Sequence, residues 1–157
     1  MATAYINIGS NTGDRRSNIE RAAALISDSF MPGKTIRAQM TETEPWGYSS
    51  PNAFLNLGIA TDIGDTPPLV AFRMLMAIQD SICSAAHRDS AGAYIDRIID
   101  IDLIAIDDTV IDTPELTLPH PRMHLRDFVV RPMLELCPEW VHPLLNKTIL
   151  EIAQTYK

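Results

Sequence analysis

Asp100 and Asp102 stand two residues apart within Arg97-Ile-Ile-Asp-Ile-Asp-Leu-Ile-Ala-Ile106, a run of β-branched and aliphatic residues that reads as a strand. Side chains alternate along a strand, so both carboxylates share one face, with Cα atoms roughly 6.5–7 Å apart, while Ile99, Ile101 and Leu103 point into a core. Like charges this close repel, more so where water is partly excluded, unless something positive lies between them. A hard divalent cation such as Mg²⁺ meets that need, because carboxylate oxygens suit it and it completes its shell with waters and phosphate oxygens. Two aspartates lining a solvated edge strand satisfy the same pattern, and the pair alone leaves both readings open.

Other chemistries find little support. There is no Walker-type G-x-x-x-x-G-K-[ST], no G-x-S-x-G and no H-E-x-x-H. His120 and His124 have i, i+4 spacing, but Pro121 lies between them and no third ligand is near, which argues against zinc. Cys83 and Cys137 are isolated and read as buried thiols. The net charge of −7 speaks against nucleic acid and anionic membrane surfaces as partners. Ten arginines against three lysines hint at planar, bidentate phosphate contacts, though surface arginine is common.

The elements that must position these groups follow from pattern. Tyr5–Ile8 reads as a first strand ending in the turn-rich segment Gly9–Asp14. Ser17-Asn-Ile-Glu20 has the form of a capping box for a helix carrying Ile19, Ala22, Ala23 and Ile26. Thr35–Glu44 and Ala53–Thr61 read as strands, separated by the aromatic-rich loop Pro45–Pro51. Thr66 as N-cap and Pro67 as first helical residue open a helix through Leu69, Phe72, Leu75, Met76, Gln79 and Ile82. The polar stretch Ser84–Gly92 then reads as a mobile loop feeding the aspartate strand, and Val110-Ile111 as a short antiparallel strand. Phe128–Leu136 and Thr148–Tyr156 complete the chain as helices. Strand, helix, strand, strand, helix, strand predicts an α+β, ferredoxin-like sandwich: an antiparallel sheet with helices on one face and extra C-terminal helices. One domain over residues 1–157 is expected. So is a cytoplasmic location, since no signal-like or membrane-spanning run is visible.

Four segments carry more together than singly. They are Ala4-Tyr-Ile-Asn-Ile-Gly-Ser-Asn11, Thr43-Glu-Pro-Trp-Gly47 with Phe54-Leu-Asn56, Tyr94-Ile-Asp-Arg-Ile-Ile-Asp-Ile-Asp102, and Leu118-Pro-His-Pro-Arg-Met-His-Leu-Arg-Asp-Phe128. In this order and spacing the chain closely resembles the 6-hydroxymethyl-7,8-dihydropterin pyrophosphokinases of folate biosynthesis, over nearly its whole length. The resemblance implies that pyrophosphate passes from ATP to 6-hydroxymethyl-7,8-dihydropterin, releasing AMP, and that the fold is ferredoxin-like. It implies Asp100 and Asp102 as ligands of two Mg²⁺ ions. Thr43, Trp46, Phe54, Asn56 and Phe128, with the backbone around Glu44, match pterin-site positions; Arg97, Thr117, His120 and Arg126 match ATP-contacting ones, and Tyr94 a residue covering the site. Of these, Arg97, Asp100, Asp102 and His120 are the expected catalytic set.

These residue types suit the roles. A pterin is a flat heterocycle with an amide-and-amine edge, so it wants an aromatic sandwich and a side-chain amide. Pyrophosphoryl transfer needs positioning and charge neutralisation more than covalent help, and no residue stands out as a general base. Two departures stand out. The loop arginines that reach the nucleotide in many members are reduced to Arg88, with His87 beside it, and Glu115 stands where some relatives carry a basic residue. A metal-dependent nucleotidyltransferase, or a catalytically weak or silent pterin-binding module, are the competing readings. The protein is expected to act as a monomer on small molecules.

Overall fold

The first strand, β1 (Thr3–Ser10), runs through the middle of an antiparallel sheet in the computed structural model, which describes residues 2–31, 33–43, 52–82 and 98–156. On one side β1 pairs with β4 (Phe54–Asp62), and on the other with β5 (Asp100–Ile106), the aspartate strand at the sheet edge. β2 (Thr35–Arg37) and β3 (Thr41–Thr43) both pair with β4 and together form one interrupted strand. The expected single strand Thr35–Glu44 breaks because the Gln39 amide turns away and donates to the Glu135 carboxylate at 3.2 Å; Glu44 itself lies outside the described residues. With α1 (Arg15–Ser29) after β1 and α2 (Pro68–Ile82) after β4, the order is that of the ferredoxin-like sandwich.

Both helices cover one sheet face. Ile6, Ile8, Leu57, Ile59, Ile101 and Leu103 meet Ile19, Ile26 and Leu75 there, all nearly or fully buried. The alternation read along the aspartate strand therefore holds for Ile99, Ile101 and Leu103. Beyond Leu103 a register shift opposite Tyr5/Ile6 bulges the strand, so that Ile104 and Ala105 both turn to the second face. That face is covered by α3 (Asp127–Leu136) and α4 (Ile149–Ala153) through Val129, Val130, Met133, Ile149 and Ile152. A single 3-10 turn, Met123–Leu125, leads into α3.

Helix boundaries differ from the sequence patterns in instructive ways. The N-cap of α1 is Asp14, whose carboxylate accepts from the Ser17 amide at 3.1 Å, so Ser17 is already helical. Gly13, at φ +72°, turns the chain in time for this earlier start. In α2 the first helical residue is Pro68 rather than Pro67, whose carbonyl accepts from Ala71 at 2.9 Å. The last helix is shorter than its pattern but carries a true capping box between Thr148 and Glu151, with bonds of 3.0 and 3.1 Å. Ile111–Asp112 (β6) pairs with Thr117–Leu118 (β7), and Val141–His142 (β8) with Lys147–Thr148 (β9).

Helix α3 sits on the sheet where β4 has no side chain. A Cβ at Gly58 would stand 2.3 Å from the Pro132 Cβ, well inside van der Waals contact. Gly58→Ala is accordingly expected to push α3 outward and destabilise the protein by about 1–3 kcal/mol in urea denaturation. An unchanged midpoint would mean that α3 is not seated as described.

Candidate active site

Cross-strand register decides what shares the second face. Asn7 stands opposite Asp102 and Gly9 opposite Asp100 on one side of β1; on the other, Asn7 faces Gly58 and Gly9 faces Asn56. Directly opposed residues of an antiparallel pair point to the same face. The floor of the site is thus Asn7 and Gly9, flanked by the two aspartates on β5 and by Asn56 on β4.

On the β4 side, Asn56 is buried, and its amide donates to Thr43 Oγ1 at 2.8 Å and to the Thr41 carbonyl at 3.5 Å. A Cβ at Gly9 would lie 3.3 Å from the Phe54 ring and 3.4 Å from Asn56 Oδ1, so glycine lets the ring and the amide sit close above β1 without yielding. Thr43, Phe54 and Asn56 are therefore held together, with the amide orientation set by the threonine hydroxyl. Phe128 follows from the first turn of α3, with the Arg126 guanidinium 5.8 Å from its ring centroid.

On the β5 side, Arg126 Nη1 lies 4.0 Å from Asp102 Oδ2; the arginine side chain is 13% exposed and the aspartate 30%. Gln79 on α2 accepts from the Ile101 amide at 2.8 Å, fixing the edge strand between its two aspartates. His120 is tied to the same strand by its own amide, which donates to the Ile104 carbonyl at 2.7 Å. Its Nδ1 accepts from the Arg122 amide at 3.2 Å, which leaves Nε2 to carry the ring proton. Burial, then Arg126 and Arg122, push its pKa down to about 4 against the opposing pull of Asp100. At neutral pH His120 is an uncharged donor beside two cationic groups.

That depression carries a pH dependence. The unfolded imidazole takes a proton near its ordinary value of 6.5 while the folded one resists until about pH 4. The unfolded state thus binds more protons in this window, and folding stability falls as pH drops from about 6.5 to 4. Discounted for partial solvent exposure, His120 contributes on the order of 1–2 kcal/mol to this loss. Denaturation of His120→Gln should show a shallower acid limb; identical limbs would place the histidine in solvent.

Thr117 is half-buried on β7, three residues before His120. Arg88, Tyr94, Arg97, Glu44 and Trp46 lie outside the described residues, as do Cys83, His87 and the loop 84–92. Cys137 is partly buried, and burial pushes its thiol up to about 11. Glu115 makes a two-bond pair with Arg73 of α2 at 2.8 and 2.9 Å, so its carboxylate is committed away from the site. Two residues of this site had no assigned role from sequence. Gln79 is the polar member of the otherwise apolar face of α2, and Asn7 is a polar residue in the alternating strand Tyr5–Ile8. Asn7 is 5% exposed, and its Oδ1 has no hydrogen-bond partner among the described residues.

The donor set fits a hard cation. Among the described residues no cluster of three or more His, Cys, Asp or Glu side chains is placed to hold a metal. Two carboxylates on one face, with an orphaned amide oxygen beside them, instead suit an ion such as Mg²⁺ whose shell phosphate and water complete.

A family model described as 7,8-dihydro-6-hydroxymethylpterin-pyrophosphokinase matches residues 5–138. The chain belongs to this family. The 2-amino-4-hydroxy-6-hydroxymethyldihydropteridine pyrophosphokinase of Porphyromonas gingivalis is 36% identical over 144 residues, 91% of this chain and 95% of that protein. The enzyme of the same name from Aquifex aeolicus is 33% identical over 151 residues, 96% of this chain and 90% of that one. Wild-type Plasmodium falciparum HPPK-DHPS with SDX-DHP superposes with a TM-score of 0.75 over 99% of this chain at 15% identity. This chain spans only 44% of that solved chain, and the likeness bears on the fold alone. The family's fold is the ferredoxin-like sandwich built above around β1.

Proposed function

We propose that the protein transfers the pyrophosphoryl group of ATP to 6-hydroxymethyl-7,8-dihydropterin, in folate biosynthesis. The hydroxymethyl oxygen forms a bond to the β-phosphorus, the bond from that phosphorus to the α–β bridging oxygen breaks, and AMP leaves with that oxygen; the hydroxyl proton is released to solvent. The observation that carries the reading is the division of one sheet face by β1. On its β4 side stand an oriented amide and an aromatic ring, and on its β5 side two carboxylates beside a largely, but not fully, buried arginine side chain. A heterocycle seated over β4 therefore presents its side arm across β1 towards β5.

Thr43, Asn56, Phe54 and Phe128, with Glu44 and Trp46, form the pterin site in this reading. Asn56 reads the heterocycle's edge and the rings cover its faces. Asp100 and Asp102 hold two Mg²⁺ ions, which when bound supply charge neutralisation at the phosphates of ATP. Arg126, with Arg97 and Arg88, meets phosphate oxygens, and neutral His120 offers its Nε2–H to the same charge without adding to the positive charge of the unliganded site. Thr117 lies on the nucleotide side. Catalysis then rests on placing two substrates in line rather than on an acid or base of the protein. Among the described residues no helix is long and apolar enough to cross a membrane. A single-domain monomer working in the cytoplasm completes the proposal.

The test is the identity of the products. Protein, ATP, Mg²⁺ and 6-hydroxymethyl-7,8-dihydropterin should give AMP and the pterin diphosphate in equal amounts by chromatography. Release of inorganic pyrophosphate would point to nucleotidyl transfer, and no turnover to a binding module.

A further inference from the structure

We propose that Asn7 is a positioning residue for the cation site of Asp100 and Asp102, its Oδ1 accepting a hydrogen bond from a water in the ion's shell. The inference rests on the cation site proposed above. Asn7 is paired with Asp102 in the β1–β5 ladder and lies on the same face, and one strand position separates it from Asp100, which pairs with Gly9. The residue is 5% exposed and its carbonyl oxygen is buried with no partner among the described residues. A buried acceptor left unpaired is destabilising, so a donor is expected in the working state.

Among the described residues its cross-strand neighbours supply none. Across one ladder stands Gly58, which has no side chain, and across the other a carboxylate, which only accepts when ionised. The cleft beneath α3 beside it is lined by Ile104, Val129, Pro132, Met133 and Leu136, all apolar, and by Tyr5, whose hydroxyl is engaged with Cys137. The missing donor therefore comes with something bound. A divalent hard cation held by Asp102 keeps several of its waters, whose polarised O–H bonds are strong donors within reach of a directly opposed side chain. An amide oxygen there orients the shell without adding a third negative charge, which the two aspartates would resist.

Mn²⁺ titration followed by electron paramagnetic resonance, with the full chain and a non-hydrolysable ATP analogue, tests this apart from turnover. Asn7→Ala is expected to weaken Mn²⁺ binding by about tenfold or more, while its thermal midpoint without metal is unchanged or raised because an orphaned acceptor has gone. Asn7→Ser, which restores an acceptor, should recover part of the affinity and serves if the alanine variant does not fold. Mn²⁺ affinity within about twofold of wild type in the folded variants would overturn the role of Asn7. Asp100→Asn separates the two levels. If it loses Mn²⁺ while Asn7→Ala and Asn7→Ser do not, only the Asn7 inference fails; if Asp100→Asn binds Mn²⁺ normally, the cation site itself is misplaced.

Discussion

Asp100→Asn and Asp102→Asn are each expected to reduce turnover at least about a thousandfold, the upper end of what losing one charge-stabilising group removes from an active site. Asp100 and Asp102 repel each other across one strand face, so neutralising either relieves that repulsion in the unliganded fold. Asp102 also faces the Arg126 guanidinium at 4.0 Å, in a place where the arginine is 13% exposed. Its neutralisation gives back that attraction and is expected to cancel the gain. Steady-state rates across a Mg²⁺ titration, beside thermal melts without metal, check both statements. Normal Mg²⁺-dependent turnover in either variant would remove the aspartates from the reaction.

Phe128→Ala and Asn56→Ala are expected to weaken pterin binding by about 1–3 kcal/mol each, roughly ten- to a hundredfold. The physical causes differ. Phe128 loses a stacked face, with little expected effect on the fold because it is only partly buried at the start of α3. Asn56 is buried and donates from its amide to Thr43 Oγ1 and the Thr41 carbonyl, so its removal takes the Oδ1 acceptor from the ligand edge and a donor from the β3–β4 pairing. Thr43→Val keeps the shape and frees the Asn56 amide to rotate; a smaller loss of pterin affinity with intact stability is expected there. Calorimetry with the reduced pterin in the presence of an ATP analogue measures all three. Unchanged affinity in Phe128→Ala and Asn56→Ala would place the heterocycle elsewhere.

The alternation of Asp100 and Asp102 with Ile99, Ile101 and Leu103 determined, without any coordinates, that the two carboxylates share a face opposite a core. Period-2 patterning is local, and a strand has no freedom to violate it except by a bulge, which here falls just beyond the aspartates, between Leu103 and Ala105. The helical stripe Ile19, Ala22, Ala23, Ile26 was legible for the same reason, and the order of elements constrained the sandwich. Short-range signals were weaker where a competing contact lies far away in sequence, as where the Gln39 amide leaves its strand for Glu135, 96 residues on; at α1 two local caps competed, and Asp14 rather than Ser17 took the position.

What only the tertiary structure decided is which strand lies between which. Nothing in the types or spacing of Asn7, Gly9, Asn56 and Gly58 sets their cross-strand register with Asp102. They meet because β1 pairs with β4 on one side and β5 on the other, and register across a ladder is set by the burial of whole faces rather than by any single residue. The same pairing makes Asn7 a buried acceptor beside a carboxylate, brings Gln79 to the Ile101 amide, and lets Arg126 and His120 share the field that keeps the imidazole neutral. Burial and field are sums over neighbours drawn from the entire chain, so residue type and spacing alone do not contain them.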